Sequence, residues 1–478
     1  MAAESSPATV TTKTSLRPNA IGLPGVLFQS ITTMAPASAV AFSLGAAIPY
    51  AGGALPLTVL IALIVCSLIA LNIGSLAKYL PSAGGYFTYV SRGLGTLTGW
   101  MTGWFFGLTY LLIVPLQLLV LGPVADSFTQ QYFNFSWGWA VWSMIFAVII
   151  FGLTYFGIKI SADASVILGC IEIAVFVLLA LWLIVTAGSG NTAATFNPAS
   201  SSESGLGGLQ GILHGVIFAF LAFAGFESSA PLAEEAHNPR RTVPRAIISA
   251  AVAIGVFYVF CSYAGVVGWG FDKIGTYTSD PNPWGTLAHR VWGAFDIIVI
   301  IAILNSALAN SNAGVNAASR VLYAMGRVSA LPGPLAHVSQ RFRTPDVAII
   351  FTMIVGVVFT LWPGFVYGPT NGFALLGTII TILILLVYIA TCIAVPFFYR
   401  REHREEFNIL RHVVLPIVPA IILLFPIYAQ FVPAPAFPLN LAGPICAGWL
   451  VVGILVLIFL RLRRPEALAM SDKVFIEE

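Results

Sequence analysis

Two carboxylates sit inside long apolar runs of this 478-residue chain, where charge is costly and most often serves function. Glu227 follows Phe223-Ala224-Gly225-Phe226, where an apolar, helix-compatible run is interrupted. Glu172 is the only acid well inside the run 164–187, about eight residues in and so ~12 Å deep at the helical rise. An acid in hydrocarbon can exchange a proton or hold a cation. The alternative for Glu172 is a structural acid bonded to a Ser or Asn of span 1 or 8. For Glu227 it is an acid resting on the N-terminal dipole of a half-helix.

A second interruption lies in Gln29–Ala39, around Pro36. Proline lacks an N–H and disfavours helix at the residue before it. Ser30, Thr32, Thr33 and Ser38 are close enough to satisfy the freed backbone or to coordinate a cation. A simple proline kink with back-bonding hydroxyls is the competing explanation, as a glycine packing contact is at Gly225. Paired breaks in mid-membrane would aim N–H dipoles at a carboxylate and C=O dipoles at an ammonium or metal cation. A zwitterion suits both.

The substrate-contact candidates are therefore Thr33, Met34, Ala37, Ser38 and Ala39 at one break and Ala224 and Gly225 at the other. Tyr110, Phe220, Phe223 and Phe226 are candidate aromatic gates, with plain packing as the alternative. A polar stripe on span 8 holds Asn305, Asn312, Asn316 and Ser319, with Ser306, Asn310 and Ser311 beside it. Asn305 and Asn316 fit interhelical hydrogen bonds. Ser311 and Asn312 are the candidates to face ion or substrate. The candidate coupling set is thus Glu172, Glu227, Ser311 and Asn312. His214 fits a structural interfacial role, and Glu234, Glu235, Arg240 and Arg241 fit surface or gate ion pairs.

The elements that position these residues must be membrane helices. Apolar types make up 58% of the chain and charged types 9%, against roughly a quarter charged in soluble proteins. Mean hydropathy is +0.92. Formal net charge is +3, which suggests no nucleic-acid partner. The five cysteines (66, 170, 261, 392, 446) all fall in apolar runs. That speaks against a disulfide framework, a metal cluster or a disulfide-linked partner subunit. Residues 1–20 are polar and do not read as a cleavable signal.

The expected fold is an all-α membrane protein of twelve transmembrane helices, each of about 20 residues. The spans fall at 25–49, 54–77, 96–124, 138–157, 164–187, 209–235, 244–270, 294–325, 346–366, 373–397, 412–431 and 440–462. With a cytoplasmic N-terminus, Lys273 and Arg290 are the only outer basic residues of 22, a positive-inside pattern. Residues 188–208 and 271–293 read as outer loops, the second with a short helix near Thr286–Trp292. Tyr399–Arg411 reads as a solvated inner connector. Residues 25–187 and 209–397 read as two five-helix units entering from opposite sides, a 5+5 inverted repeat with discontinuous helices 1 and 6. Helices 11 and 12 occupy 412–462, between cytoplasmic tails at 1–24 and 463–478.

Phe218 to Ile247 carries F-A-F-x-x-x-G-F-E-S and then E-E-x-x-N-P-R-R-x-x-P-R-A-I. Pro81–Tyr89 and Ala318–Arg327 add two further segments. In these the chain resembles the amino acid–polyamine–organocation transporter superfamily over essentially its whole length. Phe87 stands where Tyr is more usual in that family, Val328-Ser329 where Asp-Gly is, and Ala37-Ser38-Ala39 where a Gly-Ser-Gly-type signature is. The resemblance implies a LeuT-type fold that moves small amines or amino acids by alternating access. It places Glu172 near a Lys of some proton-coupled relatives and near the sodium site of others. It aligns Glu227 with an acid tied to protonation or gating. Leu221 stands where an arginine exchanger has a gating Trp, which speaks against a large cationic substrate.

The expected function is a secondary active transporter of a small amino acid or related amine, by proton-coupled symport in the plasma (inner) membrane. Exchange, sodium coupling and a non-transporting nutrient sensor of the same fold are the alternatives. A sensor would carry a long signalling extension, and the tails are short. No cofactor is expected. Enzyme motifs such as H-E-x-x-H and G-x-S-x-G are absent from the sequence.

Overall fold

A computed structural model describes residues 21–81, 85–156, 162–233, 236–280, 282–327, 331–342 and 344–463. These residues are helical apart from turns and one isolated parallel bridge between Ile21 and Ala236. Among them, ten helical stretches are long and apolar enough to cross a bilayer, and Trp139–Tyr155 is a shorter apolar helix. Val185, Phe365 and Leu455 leave apolar side chains exposed on the outer faces of the bundle, where lipid would cover them.

Leu23–Tyr79 runs 57 residues, ~85 Å if straight, too long for one ~30 Å crossing. It is broken twice. Helix α1 (Leu23–Met34) ends at Ala35. The turn Pro36–Ser38 and a wide π-turn, Ala39–Ser43, lead into α2 (Leu44–Ala51). Gly52, at φ +51°, then turns the chain into α3 (Leu55–Tyr79). A Cβ at Gly52 would lie 2.5 Å from Ser202 Oγ, so the loop at 188–208 packs directly on this turn. The Ser202 amide also donates to the Tyr50 carbonyl (3.0 Å).

The chain continues through α4 (Tyr86–Leu94), α5 (Thr96–Leu111), α6 (Ile113–Phe133), α7 (Trp139–Tyr155) and α8 (Ala162–Ala187). After short 3-10 turns come α9 (Leu209–Phe223), α10 (Pro239–Trp269), α11 (Pro283–Trp292) and α12 (Ile297–Arg327). Next are α13 (Asp346–Tyr367), α14 (Pro369–Glu402), α15 (Leu415–Ile422), α16 (Leu424–Ala429) and α17 (Ala442–Arg463). Helices α2 and α9 pack closely because Gly215 leaves room: a Cβ there would sit 3.0 Å from the Ala51 Cβ. Gly255 does the same for α10 against Leu63 of α3 and Phe223 of α9. Such small-residue contacts are how helices associate where lipid removes the hydrophobic drive.

Three local features differ from expectation. Helix α9 stops at Phe223, and no second half-helix follows directly. Residues 224–233 form turns and a 3-10 turn at Ala230–Leu232, and regular helix resumes at Pro239. Helix α14 runs on to Glu402, so the inner connector is shorter than expected and Tyr399 is buried, stacked on His412 at 3.7 Å. Helix α11 starts earlier than expected, at Pro283, where the Asn282 side chain caps it by accepting from the Gly285 amide (3.2 Å).

Candidate functional site

The first break is made by Ala35, which adopts φ 48°, ψ 65°. The following Pro36 disfavours α-helix there and itself has no amide to donate. The last carbonyls of α1 therefore need other partners. Asn310 of α12 donates its Nδ2 to the Thr33 carbonyl (2.8 Å). The Tyr258 hydroxyl of α10 lies 2.7 Å from the Met34 carbonyl and 3.0 Å from the Ala222 carbonyl near the end of α9. One phenolic proton is thus shared between the ends of both interrupted helices.

The second break is made by Ala224, extended at φ −56°, ψ 127°, and Gly225 at φ +112°. A Cβ on Gly225 would fall 2.7 Å from Thr33 Cγ2 and 2.9 Å from the Thr33 carbonyl oxygen. Glycine is required here both by the backbone angle and by the approach of the other break. Past it, the Ser228 hydroxyl bonds Thr33 Oγ1 (2.8 Å) and the Ser229 amide donates to Ser30 Oγ (3.3 Å). The hydroxyl-rich stretch of α1 is therefore the surface on which the chain after the second break is seated.

Glu227 is buried against this junction. Its Oε2 accepts from the Gly225 amide (3.1 Å) and from the Tyr388 hydroxyl of α14 (3.1 Å). These two donors stand where the alternative reading of Glu227 put the N-terminal dipole of a half-helix.

The breaks open onto a cavity of about 40 Å³, the volume available to the centre of a water-sized sphere. That is room for about three waters, by the usual requirement of one probe sphere each. Backbone and side chains of Thr33, Met34, Ala35, Ala224 and Gly225 form one wall. Ser43, Thr109, Gln117, Glu227 and Asn310 supply further polar groups. Ile113, Leu116, Leu221, Ile380 and Ile384 make the rest apolar, with Ala39 and Tyr110 between. Asn310 Oδ1 is buried with no hydrogen-bond partner among the described residues. An unpartnered buried acceptor is costly unless something else fills the role.

Of the residues singled out from sequence, Thr33, Met34, Ala39, Tyr110, Ala224, Gly225 and Glu227 line the cavity. Ala37 and Ser38 lie behind it; the Ser38 hydroxyl donates to Gln117 Oε1 (3.1 Å). Phe220, Phe223 and Phe226 are fully buried, Phe223 edge-on to Tyr258 and Phe226 against Tyr388. Ser311 bonds its own helix at the Ala307 carbonyl, and Asn312 is half-buried outside the lining. The span 8 residue at the cavity is Asn310.

Glu172 lies outside the cavity, buried between α8 and α12. It accepts from Asn305 Nδ2 (3.0 Å) and Ser306 Oγ (3.2 Å). His214 pairs with Glu203 of the loop at 188–208, at 2.7 Å, and Arg240 and Arg241 are exposed. Glu234 and Glu235 lie outside the described residues. Gln117, Tyr258 and Tyr388 were not singled out. The available signal was a polar group inside an apolar run, which must find a partner in hydrocarbon. Among the described residues, no group of three or more His, Cys, Asp or Glu is placed to hold a metal ion.

A general amino-acid permease of Candida albicans is 27% identical over 311 residues, 62% of this chain and 51% of that protein. The chain thus spans about half the length of that relative. A branched-chain amino acid permease of Lactococcus lactis is 26% identical over 386 residues, 74% of this chain and 77% of the relative. A crystal structure of the Eremococcus coleocola manganese transporter superposes with a TM-score of 0.56 at 13% identity, covering 93% of this chain and 95% of the other. At that identity the likeness establishes a shared fold, of LeuT type, and nothing about cargo. The model of the amino acid permease family, a group of transporters and not of enzymes, matches residues 25–465. This multi-pass membrane protein therefore belongs to the amino acid permease family.

Proposed function

We propose that the chain carries a small neutral amino acid or a closely related amine across the membrane by alternating access, coupled to protons. The observation that carries this reading is the cavity bounded by both helix breaks. It joins opened backbone at Ala35 and Ala224–Gly225 with the buried carboxylate of Glu227 and the unpartnered acceptor of Asn310. A zwitterion's ammonium is suited to those acceptors, and its carboxylate to backbone amides freed at the breaks. The small volume and the apolar isoleucine and leucine wall favour a short, uncharged side chain.

In this reading Thr33, Met34, Ala39, Tyr110, Ala224 and Gly225 contact substrate, with Asn310 added. Ala37, Ser38 and the three phenylalanines support them from behind. Glu172 and Glu227 carry the proton coupling. The twelve crossings, the 5+5 inverted repeat, placement in the plasma membrane and cytoplasmic termini belong to the same proposal. The bend at Gly52 supports counting Leu23–Tyr79 as two crossings, and the apolar helix Trp139–Tyr155 as another. Sodium coupling is the second reading, favoured by the free Asn310 Oδ1, since a neutral oxygen beside opened carbonyls suits a monovalent cation.

The test is thermal-shift screening of the purified protein against amino acids and amines, then uptake into proteoliposomes with an imposed pH or sodium gradient. Stabilisation by a small neutral amino acid, and uptake driven by an inward proton gradient, are expected. Uptake that follows only the sodium gradient would replace the proton reading. Stabilisation by no amino acid or amine would overturn the transport proposal.

A further inference from the structure

We propose that Gln117 is a specificity-determining residue whose unmet carboxamide donors select substrates with a hydrogen-bond acceptor on the side chain. This rests on the transport reading above. Gln117 sits one turn into α6 and is buried, yet its carboxamide lines the cavity. Its oxygen already accepts one bond, from the Ser38 hydroxyl to Oε1 at 3.1 Å. No acceptor among the described residues takes the two hydrogens of Nε2. A carboxamide normally offers both donors and acceptors. With Ser38 on one lone pair of Oε1, this one keeps both Nε2 hydrogens without a partner.

Its surroundings isolate that donor. Ile113 and Leu116 flank it on α6, Leu221 comes from α9, and Ile380 and Ile384 come from α14. A Cβ added at Gly377 would sit 2.6 Å from Leu221 Cδ2 and 3.7 Å from Leu116 Cδ1, so these side chains converge on the same stretch of α14. A substrate side chain lying against these residues meets branched hydrocarbon and the Gln117 N–H pair. A hydroxyl or carboxamide can accept that bond. An aliphatic side chain of equal size leaves the donors unmet, which costs affinity. A cationic side chain would bring further donors to Nε2 without meeting it. A site built to hydrogen-bond a substrate group rejects the analogue lacking it far better than an apolar pocket resolves shape. Threonine and valine are nearly isosteric and differ in the group at issue.

The experiment is titration of purified protein in detergent with L-threonine and with L-valine, reading the ratio of their dissociation constants within each variant. That ratio is unaffected by an overall change in affinity. Wild type is expected to favour threonine about tenfold, the scale of one hydrogen bond to a group otherwise left unmet. Gln117→Leu is expected to bring the ratio to one or to reverse it. Gln117→Met, which keeps the length and removes the donors, serves where the leucine variant does not fold. Ser38→Ala frees Oε1 and is expected to lower the ratio as well. A wild-type ratio at or below one, or a ratio unmoved in the Gln117 variants, would overturn the proposal while leaving amino acid transport standing. Wild-type protein that binds neither these nor any other amino acid would instead remove the transport reading, and this inference with it.

Discussion

Replacing Gly225 by alanine tests whether the two breaks form one site. The residue sits at φ +112°, and a Cβ would lie 2.7 Å from Thr33 Cγ2 and 2.9 Å from both the carbonyl carbon and oxygen of Thr33. Two penalties follow. A side chain held in a glycine-favoured backbone region costs about 1–3 kcal/mol. Forcing a methyl group against packed backbone costs about another 1–3 kcal/mol. The Thr33 backbone cannot swing aside cheaply, because its carbonyl is held by Asn310 and its hydroxyl by Ser228. Even at ~2 kcal/mol the apparent affinity for substrate should fall about 30-fold, since each ~1.4 kcal/mol is a factor of ten.

The assay is substrate binding and thermal melting of the purified variant, with Gly152→Ala as the comparison. Gly152 lies inside α7 with nothing within 4 Å of a would-be Cβ. There alanine should stabilise slightly, because glycine is the poorer helix former by ~1 kcal/mol. The two substitutions add the same methyl group with opposite predicted signs. If Gly225→Ala binds substrate as tightly as wild type and melts no lower, the two breaks do not meet as described and the site reasoning fails.

Three further outcomes follow from the contacts. Glu172→Gln should abolish the dependence of uptake on an imposed pH gradient while substrate binding persists; unchanged pH-driven uptake would remove Glu172 from the coupling. Tyr258→Phe strands the carbonyls of Met34 and Ala222 and should cost about 1–3 kcal/mol, read as a lowered melting temperature; a melt equal to wild type would mean the shared proton holds nothing. In the connector after α14, the Tyr79 hydroxyl, and after it the Lys78 charge, hold the Glu406 carboxylate below its ordinary value of 4.5. The small stabilisation from this exposed group is present above that value and lost as pH falls through the lowered one, so melting of Glu406→Gln should show a weaker acid-side decline than wild type.

The breaks were legible because each depends on local covalent chemistry. Pro36 dictates what Ala35 can do, and Gly225 announces a backbone that other residues resist. The apolar runs were legible because a bilayer sets their length. Partner choice was not legible, because it depends on residues far apart in the chain. Gln117 meets Ser38 across 79 positions, and Tyr258 meets Met34 across 224. On span 8, periodicity marks the polar stripe from Asn305 to Ser319 but leaves its rotation about the helix axis open. That rotation separates Asn310, on the cavity, from Ser311, bonded to its own helix. The end of α9 shows a different limit. Text after a glycine break reads equally well as a resumed helix or as the turns that Ser228 and Ser229 tie to α1.

The two buried carboxylates occupy different positions relative to the cavity, and that difference constrains how coupling would operate. Glu227 lies on the wall, so its protonation and the occupancy of the site share the same space and field. Glu172 touches no part of the wall and instead holds α8 to α12 through Asn305 and Ser306. Ser306 is one helical turn from Asn310, which holds the Thr33 carbonyl at the first break. A proton arriving on Glu172 would convert an acceptor of two bonds into a group that must itself donate. Any resulting shift of α12 would be delivered at Asn310, whose free Oδ1 already faces the want of a partner. Glu227 can therefore sense cargo directly. Under the proposed proton coupling, Glu172 would act only by moving a helix, the kind of motion that alternating access requires.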